Sequence, residues 1–462
     1  MSDEPIVLDD RATARHAAAI AEQLASTGVR AGDRVALLAG NHPGFVAARD
    51  AVTALGATLA PINPRLAVPE VEYIVTHARP RAVLVDRAHA PALPGALVVE
   101  SIPRADTTAG IDRERAGATL LYTSGTTGRP KGCLRPDAAE AARIAELTAT
   151  YALSADDTHL IACPLAHSAP GIFLRACRAA GARTVLLERF RAHAFLDAVV
   201  ATRATLFFLV PTQWHRLLEL SPAERAHDLS HVRAAIVAGA PISPSMKARI
   251  EEWLGPGKLY EFYGSSETGT ITVAGPADHA AHPGSVGRAP AGVSVRIVDD
   301  EVFVRSSALM AGYLADDGTV SRPDERDGHI SVGDLGRLDG DGWLTLVDRK
   351  HDTIISGGAN VYPAEIERVL ADHPGVAGAV VFGTPDPDLG DVVTALVASR
   401  SPAAPPTAAE LTAFARTQLA GYKLPRRWAT CAVAELPIGG SGKALRRAAR
   451  AAFDAGTYAP LR

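Results

Sequence analysis

Short apolar runs, each the length of a single strand, recur through the first half of the chain. They are Arg34–Ala39, Arg81–Asp86, Arg183–Glu188, Thr205–Val210 and Arg233–Ala238, and helical stretches such as Ala12–Thr27 separate several of them. That alternation predicts βαβ units, with parallel sheets covered by helices. A helix is expected from Pro244, where Ser243 supplies the N-cap and proline fits the first turn. After about residue 290 the texture changes. Val293–Val298 and Glu301–Arg305 flank Asp299-Asp300, which reads as an antiparallel hairpin. Glycine-spaced strands follow as far as Val347. The polar run Asp348–Asp352 then reads as a hinge, dividing the chain into an N-terminal domain (1–347), a hinge (348–352) and a C-terminal domain (353–462). In the last part Pro363 opens a helix through Leu370, and Thr407–Glu410 forms a capping box after the proline-rich segment 401–406.

At 462 residues the chain exceeds one simple core and suggests two to four compact units, at roughly 150 residues each. With 47% apolar and 21% charged residues it is not disordered throughout. The formal charge of −4 provides no field for nucleic acid or an anionic membrane, so a polyphosphate must be gripped locally. Only six of the 47 basic residues are lysine: Lys131, Lys247, Lys258, Lys350, Lys423 and Lys443. A lysine here weakly marks a place needing a compact ammonium, and Lys247 and Lys258 read as surface residues. Cys133, Cys163, Cys177 and Cys431 lack metal or disulfide spacing and read as free thiols. His279 and His282 form HxxH without a further ligand and are assigned to a surface loop. The acidic start MSDEPIVLDD does not resemble a signal peptide, and no apolar run reaches the ~20 residues of a membrane span, so a cytoplasmic protein is expected.

The most specific chemistry lies in Tyr122–Gly132, YTSGTTGRPKG, which follows a strand at Thr119–Tyr122. Glycines let backbone N–H groups approach phosphate oxygens, hydroxyls add donors, and Lys131 adds a charge. It is not the P-loop of the Walker type, because no Ser or Thr follows the lysine.

With this loop the chain resembles the adenylate-forming superfamily: acyl-CoA synthetases, peptide-synthetase adenylation domains and luciferases. Four further motifs match in order. They are Tyr260–Thr268 (YEFYGSSET), Val332–Gly336 (VGDLG), the hinge Asp348–Ile355, and Gly439–Arg446 (GGSGKALR). The segments Pro164–Pro170, Val210–Trp214 and His282–Gly287 look most like bacterial acyl-CoA synthetases for hydrophobic acids. The resemblance implies an α/β fold: a large N-terminal domain of parallel and mixed sheets with covering helices plus a distorted β-barrel, and a small mobile α+β C-terminal domain. It also implies an AMP-forming acid–thiol ligase using ATP, Mg²⁺ and coenzyme A. A carboxylate attacks the α-phosphorus of ATP, expelling pyrophosphate, and a thiol then displaces AMP.

By the same resemblance, Thr123, Ser124, Gly125, Thr126, Thr127, Gly128 and Lys131 hold the phosphates. Glu267, with Ser266 beside it, ligates Mg²⁺. Gly239, Ala240 and Pro241, with Glu261, Phe262, Tyr263, Gly264 and Ser265, form the adenine slot. Asp334 takes the ribose hydroxyls, joined by Arg349 from the hinge, and Lys443 reaches the substrate carboxylate and α-phosphate. His167, Phe173 and Trp214, with Gly239 and Gly264, are the candidates for the acyl pocket. Gly357, Gly358 and Lys423 are those for the thiol channel, reached when the C-terminal domain rotates. Departures from the family pattern are Val332 in place of Thr, His351 in the hinge, a missing Arg-Asn pair before Lys443, and a shorter N-terminus and hairpin. Histidine is the side-chain type whose charge changes within the physiological pH range, so a histidine in the hinge leads to the expectation that domain rotation is pH-sensitive. The acceptor stays open between CoA, an acyl carrier protein and a non-thiol nucleophile, as does a homodimer. A non-catalytic binding protein is the reading from another class, and retention of Lys131, Glu267, Asp334, Arg349 and Lys443 together argues against it.

Overall fold

The computed structural model describes the chain except residues 1, 2, 113, 114, 124–129, 358, 402, 440–442 and 462. The apolar runs form strands as their composition predicts. Arg183–Leu186, Thr158–Ile161, Leu206–Leu209, Ala234–Val237 and Leu259–Ser265 lie side by side in parallel, inside a seven-stranded sheet closed by antiparallel edges. Arg34–Leu38, Thr58–Ile62 and Ala82–Val85 are parallel members of a second, eight-stranded sheet. Thr119–Thr123 belongs to the same sheet and turns back antiparallel into Lys131–Arg135, with Thr123 opposite Lys131. The phosphate-loop residues Ser124, Gly125, Thr126, Thr127 and Gly128 lie outside the described residues.

Both sheets are buried because helices cover them. Asp10–Ser26 and Pro43–Ala54 pack Ile20, Leu24, Phe45 and Val52 against Val35 and Leu37. The seven-stranded sheet has apolar clusters on both faces, one around Phe207 and Trp214, the other around Phe173, Phe208 and Ile236. Each such side chain taken fully out of water contributes about 1.5–3 kcal/mol before the cost of ordering it. The helix Pro244–Leu254 starts as expected, Ser243 Oγ accepting from Met246 N at 3.2 Å.

A third, five-stranded sheet includes Ser294–Val298 paired with Glu301–Arg305. Asp299 and Asp300 both take positive φ, 53° and 62°, a two-residue turn whose twist suits the hairpin. The fourth sheet uses only strands from Ile354 onward. Pro363–Ala371 and Ala408–Arg416 pack on it, the latter opened by the Thr407–Glu410 capping box. Between the third and fourth sheets, Asp348 accepts from Ala364 N at 2.7 Å, and Arg446 reaches Asp352 at 2.5 Å and Glu367 at 2.6 Å. Lys350 bonds back to Glu301 at 2.9 Å. Residues 348–352 are thus tied to both sides by charged contacts. Among the described residues, no helix is long and apolar enough to cross a membrane.

Three expectations need correction here. Lys247 is buried, its ammonium paired with the equally buried Glu261. Lys258 is half-buried and donates to Leu229 O at 2.8 Å. His279 is buried in the short helix Asp278–Ala281 with Nε2 at Leu259 O, while His282 stacks on Trp343 at 3.7 Å. A charged or polar side chain in these places is kept by its partner, because an unpaired one would cost several kcal/mol of lost hydration.

Candidate active site

Two parallel strands set the floor of the site. Val237 pairs with Glu261, so Gly239–Pro241, which continues past the first strand, stands beside Tyr263. Gly239 has φ of +96°, a conformation that favours glycine. Gly264 is needed for a different reason: a Cβ there would lie 2.2 Å from Gly269 O across the adjacent bulged strand. Along Leu259–Ser265 the side chains alternate. Phe262 packs 6.0 Å from both Phe173 and Phe208, and Glu261 turns to Lys247. With their side chains so engaged, Glu261 and Phe262 present backbone to this side of the strand.

Tyr263 closes the slot toward Asp334. Its hydroxyl donates to Asp334 Oδ2 at 2.5 Å, and Arg349 Nε lies 3.1 Å from Oδ1. Asp334 and Arg349 are direct partners on antiparallel strands, so the ion pair follows from register. Each carboxylate oxygen keeps a free lone pair, enough to accept two further hydroxyls such as those of a ribose. Burial, with Asp334 beside it, holds the Tyr263 phenol well above its ordinary value, so it stays a donor.

Glu267 sits at the end of the next turn and is 8% exposed. Tyr313 Oη donates to Glu267 Oε1 at 2.9 Å, and the Lys131 ammonium lies 5.2 Å from the centre of the Tyr313 ring. Tyr313 itself is placed by pairing opposite Cys133, two residues past Lys131. No cluster of three or more His, Cys, Asp or Glu occurs among the described residues. A lone carboxylate with hydroxyls nearby is the donor set of Mg²⁺ held jointly by protein and phosphate oxygens, so the residues present fit that ion.

Lys443 enters this group from the C-terminal domain. Burial and Arg349 lower its ammonium from the ordinary lysine value, while Asp334 and Glu267 pull in the opposite direction. Lys443 therefore shares an electrostatic neighbourhood with three N-terminal and hinge residues of the site. Its backbone carbonyl accepts from Gly439 N at 2.7 Å, fixing the base of the loop. The two domains also touch through Arg400, whose Nη1 lies 3.1 Å from Glu219 Oε1, and through Ser245 Oγ at 2.5 Å from Asp372 Oδ1.

His167 stands at the N-cap position of the helix Ser168–Ala179 without a side-chain capping bond, its Nε2 instead 3.2 Å from Asn63 Nδ2. Burial, assisted by Arg65, lowers the ring to about 4, so it is neutral near pH 7. Asn41 holds the approach to it, donating to Cys163 O and accepting from Leu165 N. Phe173 and Trp214 are both 0% exposed and belong to clusters on opposite faces of the sheet. They are core residues that do not line one open pocket, the other of the two readings their apolar side chains allow. The distant expectations also separate. Gly357 has φ of +57° and donates to Leu389 O, Gly358 lies outside the described residues, and Lys423 is bound by both oxygens of Glu365 at 2.8 and 2.7 Å. Lys423 thus offers no free charge. A cavity of about 570 Å³ beside Arg34, Arg79 and Arg81 opens where the parallel strands Arg34–Leu38 and Thr58–Ile62 begin.

Sequence reasoning missed Tyr313, Asn63 and Asn41. Each meets its partner only through strand pairing or tertiary contact, 46 positions apart for Tyr313–Glu267 and 104 for Asn63–His167.

Comparison with known proteins agrees with this geometry. The family model for AMP-binding enzymes matches residues 11–314, and that for the AMP-binding enzyme C-terminal domain matches 365–443. Feruloyl-CoA synthase of Amycolatopsis sp is 33% identical, spanning 95% of this chain and 92% of that protein. The 2-succinylbenzoate–CoA ligase of Bacillus licheniformis is 31% identical over 92% of this chain and 91% of its own length. Among solved structures, the o-succinylbenzoate CoA synthetase of Bacillus subtilis in complex with its acyl-adenylate intermediate superposes with a TM-score of 0.81. It is 28% identical, covering 94% of this chain and 91% of that one. An amide bond synthetase from Marinactinospora thermotolerans gives 0.84 at 30% identity, covering 95% and 93%.

Proposed function

The chain belongs to the AMP-binding enzymes of the adenylate-forming superfamily, and from that premise we propose that it activates a carboxylic acid with ATP and passes the acyl group to coenzyme A. The carboxylate oxygen attacks the α-phosphorus, pyrophosphate leaves, and an acyl-adenylate forms. The CoA thiol then attacks the acyl carbonyl, and AMP leaves with the oxygen that bridged carbon and phosphorus. Two anions meet in the first step, so positive charge must be fixed where they approach. Lys131 serves the β- and γ-phosphates, and Lys443 the carboxylate and α-phosphate. Asp334 and Arg349 hold the ribose, with Tyr263 against the base. Glu267, oriented by Tyr313, holds Mg²⁺ with Ser266 beside it. When bound, that ion neutralises charge on the phosphate oxygens.

One observation carries the reading: Lys443, from the far end of the sequence, is half-buried within the field of Asp334, Glu267 and Arg349. A lysine held there without an anionic ligand loses hydration for little return, and a phosphate or carboxylate supplies the missing counter-charge. For the second step the C-terminal domain rotates, breaking Arg400–Glu219 and Ser245–Asp372 and withdrawing Lys443. The thiol arm then passes along the backbone at Gly357 and Gly358. The test is pyrophosphate release over a panel of carboxylic acids, with and without CoA. Acid-dependent release followed by thioester on adding CoA supports the proposal, and release that never yields thioester overturns the CoA assignment. Likeness to the amide bond synthetase favours a second reading, in which an amine is the acceptor. Amide formation in preference to thioester, with both nucleophiles present, decides for it. An acyl carrier protein is the third acceptor for the same assay.

A further inference from the structure

Behind the strand that carries Lys131, three guanidinium groups converge on one carboxylate. Glu140 Oε1 accepts from Arg135 Nε at 2.9 Å, Glu140 Oε2 accepts from Arg175 Nη2 at 2.5 Å, and Arg143 Nη1 stands 3.5 Å from Oε2. None of these side chains is more than 7% exposed. Three positive charges facing one negative charge leave an excess out of water, which is costly without a further anion.

Two of the three guanidiniums are otherwise well satisfied. Arg135 donates to Ser266 O and Ala308 O, both at 2.5 Å, and Arg175 to Ala116 O at 3.1 Å. Arg143 is the incomplete member. Its Nη2 donates to Ser168 Oγ at 3.1 Å, and its buried Nη1 has no hydrogen-bond acceptor among the described residues, the Glu140 carboxylate standing off at 3.5 Å. Its position is informative. Ser168 follows His167 directly, and Arg143 Nε and Cγ lie 3.5 Å from where a Cβ on Gly269 would stand, two residues past Glu267. Arg143 is thus wedged between the segment of His167 and the turn of Glu267. Burial and the neighbouring Arg135 lower its guanidinium to about 9. Glu146 on the same helix offers weak compensation, because burial pushes its carboxyl upward, toward the neutral form.

We propose that Arg143 determines specificity by binding an anionic oxygen at the far end of the acid substrate, either a second carboxylate or a phenolate. This rests on the adenylation reading above. The guanidinium fork can make one or two charge-assisted hydrogen bonds to such an oxygen, and the substrate would supply the missing negative charge.

The test uses the full-length enzyme and size-matched acids in the pyrophosphate-release assay: 4-carboxycinnamate and 4-hydroxycinnamate, each against 4-methylcinnamate. Wild type is expected to favour at least one oxygen-bearing acid in kcat/KM by about 10- to 100-fold, the range of a hydrogen bond to a charged group. Which of the two it favours separates carboxylate from phenolate. In Arg143→Gln that ratio should collapse toward one, and Arg143→Lys should keep part of it. The ratio is taken within each variant, so a general loss of folded enzyme cancels. If Arg143→Gln does not fold, Ser168→Ala, which frees Nη2, should lower the same ratio. A wild-type enzyme indifferent to the distal group overturns the proposal, as does an Arg143→Gln variant that slows all acids equally. Absence of pyrophosphate release with any of the three acids or with a broad panel refutes the adenylation reading instead.

Discussion

Removing a single oxygen tests how the Glu267 carboxylate is held and whether it serves the proposed Mg²⁺. In Tyr313→Phe the ring stays under Lys131, at 5.2 Å from its ammonium, so the cation–π contact survives. What is lost is the 2.9 Å bond from the phenol to Glu267 Oε1. A hydrogen bond to a charged group contributes about 1.5–3 kcal/mol, and Glu267 is too buried for water to replace it fully. At 1.4 kcal/mol per tenfold, adenylation should lose roughly 10- to 100-fold. Part of that loss should appear as a higher Mg²⁺ requirement, because partners behind a metal ligand commonly set its affinity. The assay is pyrophosphate release titrated with Mg²⁺ for wild type, Tyr313→Phe and Tyr313→Ala. The alanine variant should be worse, since it also removes the ring under Lys131. Wild-type rate and Mg²⁺ dependence in Tyr313→Phe would refute the orienting role.

Further outcomes follow from the same contacts. Lys443→Ala should lower adenylation at least 100-fold, the usual scale for one charge-stabilising donor, yet still convert supplied acyl-adenylate to thioester. Because its ammonium is shifted down, adenylation should fall on the alkaline side below the ordinary lysine range, near 10.4. In Lys443→Arg that limb should disappear. For stability, burial would raise the Glu140 carboxyl, but Arg175, Arg143 and Arg135 hold it at about 2. Its contribution is complete above its unfolded value, near 4.3, and is lost as pH falls toward 2. Glu140→Gln should cost about 3–5 kcal/mol at neutral pH and flatten that acid limb in thermal melts. Gly357→Val forces a side chain onto a φ of +57° beside Leu389. It should slow thioester formation from supplied acyl-adenylate more than pyrophosphate release, and equal slowing would remove Gly357 from the thiol path.

Local signals were legible wherever neighbouring residues decide the outcome. Ser243 caps its helix, Asp299-Asp300 turns its hairpin, and the apolar runs became parallel strands because each is too short and too apolar to be anything but sheet interior. Lys131, Glu267, Asp334, Arg349 and Lys443 are marked in the sequence only by the resemblance of their motifs to the adenylate-forming superfamily. Long-range partnership was not legible. Lys247 looked like a surface lysine because helix periodicity does not reveal that Glu261, on a neighbouring strand, needs a counter-ion. Trp214 and Phe173 carry the same apolar signal whether they line a pocket or fill a core, and the packing decides for core. For Lys423 the local sequence gives no sign that both oxygens of Glu365 accept from its ammonium. Arg143 gave no local sign at all, since its meaning lies in a charge balance among three helix and strand segments.

The central claim is that a carboxylate oxygen attacks the α-phosphorus and that the acyl carbon is later taken by CoA. Isotope transfer measures this directly. With both oxygens of the acid replaced by ¹⁸O, one label should appear in AMP for each thioester formed, and none in pyrophosphate. Label in pyrophosphate or free phosphate, or unlabelled AMP accompanying thioester, would contradict the account.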